Sequence, residues 1–385
     1  MNFFIYTVGF LLFFMATFVN DYNIEGFPVF YLIWFSIVLF RLLLEIDIRP
    51  FEFLSQVLLF VVLQPPFFVE FFDTENVYIH GYLFAVLYIN AVFLIPYFMS
   101  KATYLRLVII AIFLAVSAIS LLSVVQGDNR ATIYFGPNVL YRIYGLLFAL
   151  FLLSYYFEDK FFLNKSLFWL VFVMFVISLV ATGSRGAIVV FGIPFVYLLL
   201  KKGAFQIKTL HVLFALVPAL AALCYFILTN LDMFWRLFYF DLEGESIGAR
   251  LEYLNLTLEY ARNFSFSLDY IFGQSSLNPL WSNYPHNFAL ESFVYGGLWM
   301  LMVVMLPLIV FIYNAFFTRE KFYIILFFVY LPIFIGASVS GNLTYNFPVI
   351  SVPFVAFVYA FLSAGRSDIP SMGVFNNART NGWVI

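Results

Sequence analysis

The sequence predicts an all-α, polytopic membrane protein with about twelve transmembrane helices and one large polar loop. Hydrophobic residues make up 64% of the 385 residues and charged residues only 10%, and the mean hydropathy is +0.99. The apolar residues fall in runs close to the about 20 residues that a bilayer requires. The runs lack the alternating pattern of barrel strands, and helices bond their own backbone groups in lipid, so helices are the expected form.

Twelve apolar runs divide the chain. The first run lacks a basic segment before it and a small-residue cleavage site, which favours an uncleaved span over a signal peptide. The eighth run is short and contains Pro194. The predicted spans are residues 1–19, 27–44, 51–69, 77–99, 104–125, 139–157, 166–182, 186–200, 210–229, 288–313, 322–338 and 347–363.

These runs organise the chain into four parts. Spans 1 to 9 occupy residues 1–229, a large polar loop occupies residues 230–287, spans 10 to 12 occupy residues 288–363, and residues 364–385 form a polar tail. Eight prolines lie inside the runs beyond their first two residues and predict kinks that open space between helices. They are Pro65, Pro66, Pro96, Pro194, Pro218, Pro307, Pro332 and Pro353.

The distribution of lysines predicts the orientation. With twelve spans and a cytoplasmic N-terminus, every lysine falls on the cytoplasmic side, which is the arrangement that the positive-inside rule favours. The lysines are Lys101, Lys160, Lys165, Lys201, Lys202, Lys208 and Lys321. Both termini are therefore expected in the cytoplasm, and the large loop is expected on the opposite face.

The basic residues of that opposite face are all arginines. A guanidinium binds phosphate and carboxylate oxygens with two parallel hydrogen bonds, whereas lysine acts as a point charge. The set therefore indicates an anionic ligand, although ion pairs with nearby acidic residues are an alternative. The six arginines are Arg130, Arg142, Arg185, Arg236, Arg250 and Arg262.

A short segment between spans 7 and 8 is a candidate phosphate site. Residues 182–187 read Thr-Gly-Ser-Arg-Gly-Ala. Ser184 is placed to cap the next helix, and Arg185 would lie beside the free amides of its first turn, where an anion is favoured. The alternative is a hairpin with a capping serine and an arginine that reaches to lipid headgroups.

The large loop contains a second candidate. Leu251, Leu254, Leu258 and Ala261 recur at helical spacing and predict an amphipathic helix, with Arg250 at its start. Glu259 and Arg262 are three residues apart and are expected to pair with each other.

His286 is the histidine that stands where the loop enters span 10. Imidazole accepts a proton near neutral pH, so His286 is a candidate general base for a hydroxyl and equally a candidate phosphate ligand. Glu291 lies about one turn further on and is a candidate to orient it. A structural role is the alternative for His286, and it is the expected role of His80 and His211.

Other chemistries find less support. The net charge of −2 does not indicate a nucleic-acid partner, and Cys224 is the single cysteine, so no disulfide or cysteine metal site is expected. The acidic stretches 73–75 and 241–245 have no histidine nearby, and we expect no metal and no other cofactor. No glycine-rich nucleotide loop and no Gly-x-Ser-x-Gly motif occur.

Residues 182–187 and 286–298 together resemble the O-antigen ligase and polymerase superfamily. The second stretch carries His286-Asn287, Leu290-Glu291 and Gly296-Gly297-Leu298. Arg250 is similar to the arginine that this family has in its large periplasmic loop, and residues 129–138 resemble the earlier outer segment of the family. The predicted spans agree with this resemblance over nearly the whole chain.

The resemblance implies a metal-independent glycosyltransferase of the bacterial inner membrane, with the large loop in the periplasm. Its donor would be an undecaprenyl-pyrophosphate-linked oligosaccharide, its surroundings membrane lipid, and a further partner a chain-length regulator protein. Arg185, Arg250, Arg130 and Ser184 would bind pyrophosphate, while His286, Arg250 and Glu291 would be catalytic.

Three functions remain open at this point. We expect an O-antigen polymerase, which moves the growing glycan onto a new lipid-linked repeat unit. An O-antigen ligase would use the same donor with lipid A-core as acceptor. A flippase or exporter of lipid-linked oligosaccharide would need cationic groups deep in the membrane, and Arg142 is the residue that favours it.

Overall fold

The computed structural model describes the greater part of the apolar runs. The described residues are 2–18, 23–24, 27–44, 50–64, 77–95, 102–125, 137–156, 165–182, 184–202, 252, 255–256, 259, 271–272, 288–318, 320–340 and 347–364.

The described chain is all-α except for one antiparallel pair of two-residue strands, β1 (Asn23–Ile24) and β2 (Phe27–Pro28). The all-α prediction is therefore confirmed for this part of the chain. The helices are α1 (Asn2–Phe18), α2 (Val29–Leu43), α3 (Pro50–Leu63), α4 (Val77–Val92), α5 (Ala102–Val125), α6 (Pro137–Tyr156), α7 (Lys165–Ala181), α8 (Arg185–Lys202), α9 (Phe288–Phe317), α10 (Lys321–Ser340) and α11 (Pro348–Ala364).

Each helix coincides with one predicted apolar run. The ninth run, residues 210–229, lies outside the described residues, as do most of the loop 230–287 and nearly all of the tail. Within the described part of the chain, two stretches are long and apolar enough to cross a membrane: Gly296–Phe317 with mean hydropathy 2.4 and Lys321–Ser338 with mean hydropathy 1.9. The other described helices have shorter apolar stretches.

The starts of several helices follow from local sequence. Proline occupies the first position of α3, α6 and α11, where its missing N–H is not needed and its fixed φ suits the helix. Helices α8, α10 and α11 continue through Pro194, Pro332 and Pro353. The backbone break noted within the described helices is instead at Gly297 in α9, with φ 60° and ψ −158°.

The chain forms two compact units. Unit 1 comprises residues 1–101, 249–330 and 341–385, and unit 2 comprises residues 102–248 and 331–340. In unit 1, α11 packs against α9, α4 and α3, and Ser351 Oγ donates a hydrogen bond to the Ala85 carbonyl at 2.6 Å. Aromatic rings fill this interior, as where Phe347 lies 5.1 Å from Phe30 and 5.3 Å from Tyr88 between ring centroids.

Unit 2 is built around α6, which packs against α5, α7 and α8. Phe148 of α6 stacks on Phe191 of α8 with ring centroids 4.3 Å apart, and Phe113 of α5 lies 3.9 Å from Phe175 of α7. A buried group of hydroxyls crosses this aromatic core: Ser120 Oγ lies 2.6 Å from the Tyr144 hydroxyl. Nearly all side chains from Leu140 to Tyr155 are buried, so α6 is the central helix of the unit.

Large apolar side chains also cover the outer sides of the helices. Phe35, Phe53 and Phe361 are 60%, 61% and 76% exposed. A surface of this kind would be costly in water, because each exposed apolar side chain forgoes the free energy of burial.

Candidate functional site

The first turn of α8 begins directly after a tight turn that closes α7. The Thr182 hydroxyl donates to the Leu179 carbonyl at 2.7 Å, and the Ser184 amide donates to the Thr182 hydroxyl oxygen at 3.3 Å. The Ser184 carbonyl then accepts the Ala187 N–H at 3.0 Å. Ser184 therefore occupies the N-cap position of α8, with Arg185 as the first helical residue.

The start of α8 has a positive electrostatic potential. The first amides of a helix generally lack a carbonyl partner within the helix, and the aligned peptide dipoles place partial positive charge there. In α8 the Ala187 N–H is already bonded to the Ser184 carbonyl, so Arg185 and Gly186 carry the two amides that precede it. An anion is favoured at such a helix end. The backbone of Arg185 contributes to this first turn, while its side chain lies outside what the structure describes.

Tyr141 of α6 lies against the same turn. A Cβ atom on Gly186 would approach the Tyr141 ring carbon Cζ to 2.9 Å and its hydroxyl oxygen to 3.0 Å. Residue 186 is glycine because the tyrosine ring lies so close to the backbone of α8. The Tyr141 side chain is 1% exposed, and its hydroxyl has no hydrogen-bond partner among the residues that the structure describes.

Arg142, the next residue of α6, binds a different helix. Its Nη2 atom donates to the Gly336 carbonyl of α10 at 3.0 Å, and its guanidinium lies so close to Gly336 that a Cβ there would meet Cζ at 2.7 Å. Arg142 therefore joins α6 to the end of α10 within unit 2. Sequence reasoning associated Arg142 with transport, and this contact gives it a packing role.

Glu291 belongs to unit 1 and lies in the first turn of α9. Its side chain is 0% exposed, and so is that of the neighbouring Ser292, whose hydroxyl donates to the Phe288 carbonyl at 2.7 Å. The break at Gly297 separates this first segment from the long apolar part of α9. The break is held in place from α3, since Trp299 Nε1 donates to the Val62 carbonyl at 2.7 Å.

The remaining predicted site residues, Arg130, Arg250 and His286, lie outside the described residues. Within the predicted loop, the structure describes Glu252, Asn255 and Glu259 as helical and exposed. Their spacing places them on one face of a helix. The roles assigned to the undescribed residues stay predictions.

Two buried arginines were not predicted as such. Arg41 pairs with Glu52, and Arg106 lies 4.4 Å above the ring of Tyr155 while donating to the Ser154 carbonyl at 3.5 Å. The two arginines are 3% and 2% exposed. Tyr141 was also missed, because nothing in the sequence distinguishes it among 26 tyrosines.

Among the described residues, no group of three or more histidine, cysteine, aspartate or glutamate side chains is placed to hold a metal ion. Comparison of the chain with models of known families, with curated proteins and with solved structures finds no match.

Proposed function

We propose that the chain is a surface-polysaccharide polymerase of the O-antigen type in the bacterial inner membrane. It would transfer a glycan from undecaprenyl pyrophosphate to the sugar of a new lipid-linked repeat unit. The motif resemblance in residues 182–187 and 286–298 gives the reaction class. The apolar runs and exposed phenylalanines support a multi-pass arrangement. The distribution of lysines supports cytoplasmic termini, with the large loop in the periplasm.

The observation that carries the proposal is the arrangement at the start of α8. There the Ser184 N-cap, the first turn of α8 and the Tyr141 hydroxyl lie together, and Arg185 begins the helix. A phosphate group is favoured by each of these features. A pyrophosphate leaving group needs this kind of support, because negative charge develops on it as its bond to the sugar breaks.

The reaction is a displacement at the anomeric carbon of the donor sugar. The acceptor hydroxyl oxygen forms the new glycosidic bond, and the bond from the anomeric carbon to the pyrophosphate oxygen breaks. The pyrophosphate leaves with that electron pair, held by Arg185 and Arg250, with Arg130 as a further ligand. The acceptor proton passes to His286, which Glu291 would orient.

A gel of lipopolysaccharide from a deletion strain tests the function. A single repeat unit on the core, with the ladder restored by the wild-type gene and not by Arg250→Ala, supports the polymerase. Bare core with polymer accumulating on undecaprenyl pyrophosphate would identify the ligase. Bare core without that polymer would point to a transporter of the lipid-linked unit.

The yield of polymer made by the purified chain tests the role of Arg185. Arg185→Lys keeps the charge but loses the two parallel hydrogen bonds, so we expect a large loss of polymer yield. Arg366→Lys, in the predicted tail, is the matched control and should leave the yield unchanged. Equal yields from the two variants would contradict a role for Arg185 in pyrophosphate binding.

A further inference from the structure

The Tyr141 hydroxyl is a buried polar group whose place in the fold is otherwise unexplained. The ring is buried and packs on the first turn of α8, while the hydroxyl makes no hydrogen bond to any residue that the structure describes. A buried hydroxyl without a partner carries a free-energy penalty, so phenylalanine would pack equally well at lower cost. The oxygen therefore calls for an explanation other than packing.

The position of the hydroxyl supplies that explanation. The Tyr141 oxygen is 3.0 Å from the Cβ position of Gly186, the second residue of α8. It therefore lies against the first turn of α8, and the N-terminal end of a helix is where an anion is favoured.

The hydroxyl of Tyr144, also on α6, differs from that of Tyr141 because it has a hydrogen-bond partner in the protein. Tyr144 is also buried, but its hydroxyl lies 2.6 Å from Ser120 Oγ, so a protein group satisfies it. The two tyrosines are three residues apart on the same helix. The Tyr144 hydroxyl is bonded within the interior of unit 2, and the Tyr141 hydroxyl lies against the first turn of α8.

We propose that Tyr141 is a ligand-binding residue whose hydroxyl donates a hydrogen bond to a phosphoryl oxygen held at the N-terminus of α8. The inference rests on the proposed function in naming that phosphoryl group as part of a lipid-linked pyrophosphate. Gly186 is then a steric requirement of the site, because a side chain there would displace the tyrosine ring. Tyr141 holds the phosphoryl oxygen and takes no part in proton transfer.

The test compares Tyr141→Phe with Tyr144→Phe in the full chain reconstituted in lipid nanodiscs. The probe is labelled farnesyl pyrophosphate, a short polyprenyl pyrophosphate, with binding measured at equilibrium. A hydrogen bond to a charged group contributes enough that Tyr141→Phe should raise Kd by at least about tenfold. Tyr144→Phe should leave Kd within about twofold of the wild type, because its hydroxyl bonds to Ser120.

Thermal unfolding of the unliganded protein gives an independent readout. Tyr141→Phe removes an unsatisfied hydroxyl, so its melting temperature should equal or exceed that of the wild type. Tyr144→Phe removes the buried hydrogen bond between Tyr144 and Ser120 and should lower the melting temperature. A fall for Tyr141→Phe as large as that for Tyr144→Phe would mean that the hydroxyl serves the fold, which would overturn the inference.

Failure of the inference and failure of the proposed function give different results. Equal binding of the probe by wild type and Tyr141→Phe overturns the inference alone. Absence of binding to the wild type contradicts the proposed function, and the same pair is then titrated with inorganic pyrophosphate. Binding that depends on Tyr141 in that titration supports the site, and its absence overturns the inference as well.

Discussion

The Nη2 atom of Arg41 lies 2.9 Å from Oε2 of Glu52, and Nη1 of the same guanidinium pairs with Oε1. The two residues lie in the last turn of α2 and the first turn of α3, and both are buried. The arginine therefore opposes the negative end of one helix dipole and the glutamate opposes the positive end of the other. The pair fixes how these two helices meet.

Breaking this pair should destabilise the protein strongly. Glu52→Gln leaves the arginine buried without its counter-charge, and we expect a loss of about 3–5 kcal/mol in the free energy of unfolding. The double variant Arg41→Met, Glu52→Leu should recover part of the stability, because neither charge is then buried alone. Thermal unfolding in detergent measures the stability of each variant. A double variant no more stable than Glu52→Gln would show that the two side chains act independently.

Gly297 should not tolerate alanine. Its backbone, at φ 60° and ψ −158°, is in a region that side chains other than glycine adopt only at a cost of about 1–3 kcal/mol. Gly297→Ala is expected to lower the melting temperature and to displace Trp299 from Val62. Gly192→Ala is the control, since a Cβ there meets nothing within 4 Å. An unchanged melting temperature for Gly297→Ala would mean that α9 is not broken at this residue.

Gly336→Ala should act through Arg142. The new Cβ would collide with the guanidinium, and such overpacking costs about 1–3 kcal/mol. Arg142→Ala removes the hydrogen bond to the Gly336 carbonyl and should also lower stability. Combining the two substitutions should cost less than the sum of the single losses. If Arg142→Ala leaves stability intact but stops export of the lipid-linked unit, the transporter becomes the better proposal.

The role of His286 can be separated by conservative replacement. His286→Gln keeps a hydrogen-bonding group and removes the base, so a base role predicts loss of about 100-fold or more in transfer rate. A ligand role predicts a smaller loss and weaker donor binding. Rates and donor affinity are measured on the purified chain. Near-full activity of His286→Gln would exclude the base role.

Transfer should continue in a chelator. Arginines are expected to stabilise the pyrophosphate, so EDTA should change the initial rate by less than about twofold. Addition of Mg²⁺ after EDTA serves as the control. Loss of activity with recovery on Mg²⁺ would redirect attention to the acidic residues at 241–245 as a metal site.

Sequence patterns predicted the helices well because long apolar runs without period-two alternation favour helices over strands. The predicted run 104–125 and the observed Ala102–Val125 differ by two residues at one end. The break at Gly297 was not predicted, since φ is set by tertiary packing that a pair of glycines only permits. Helical structure continues through Pro194, Pro332 and Pro353, and the kinks expected at these prolines stay a prediction.

The candidate site was predicted in part. The helix start at residues 182–187 could be predicted, because a capping serine before an apolar run is a local sequence pattern. The approach of Tyr141 to Gly186 depends on the packing of α6 on α8, which no spacing in the sequence specifies. The Arg41–Glu52 pair could have been anticipated, because opposite charges flank a short connection between two apolar runs.

The division into two units constrains the order in which the protein assembles during synthesis. Unit 2 draws on a late segment, because residues 331–340 of α10 belong to it and Arg142 donates to the Gly336 carbonyl. Unit 1 depends on the end of the chain as well, because α3 and α4 pack against α11 and Ser351 donates a hydrogen bond to Ala85. A chain that stops before residue 331 therefore lacks contacts of both units, and one that stops before residue 348 leaves α3 and α4 without α11, so either truncation should destabilise the fold.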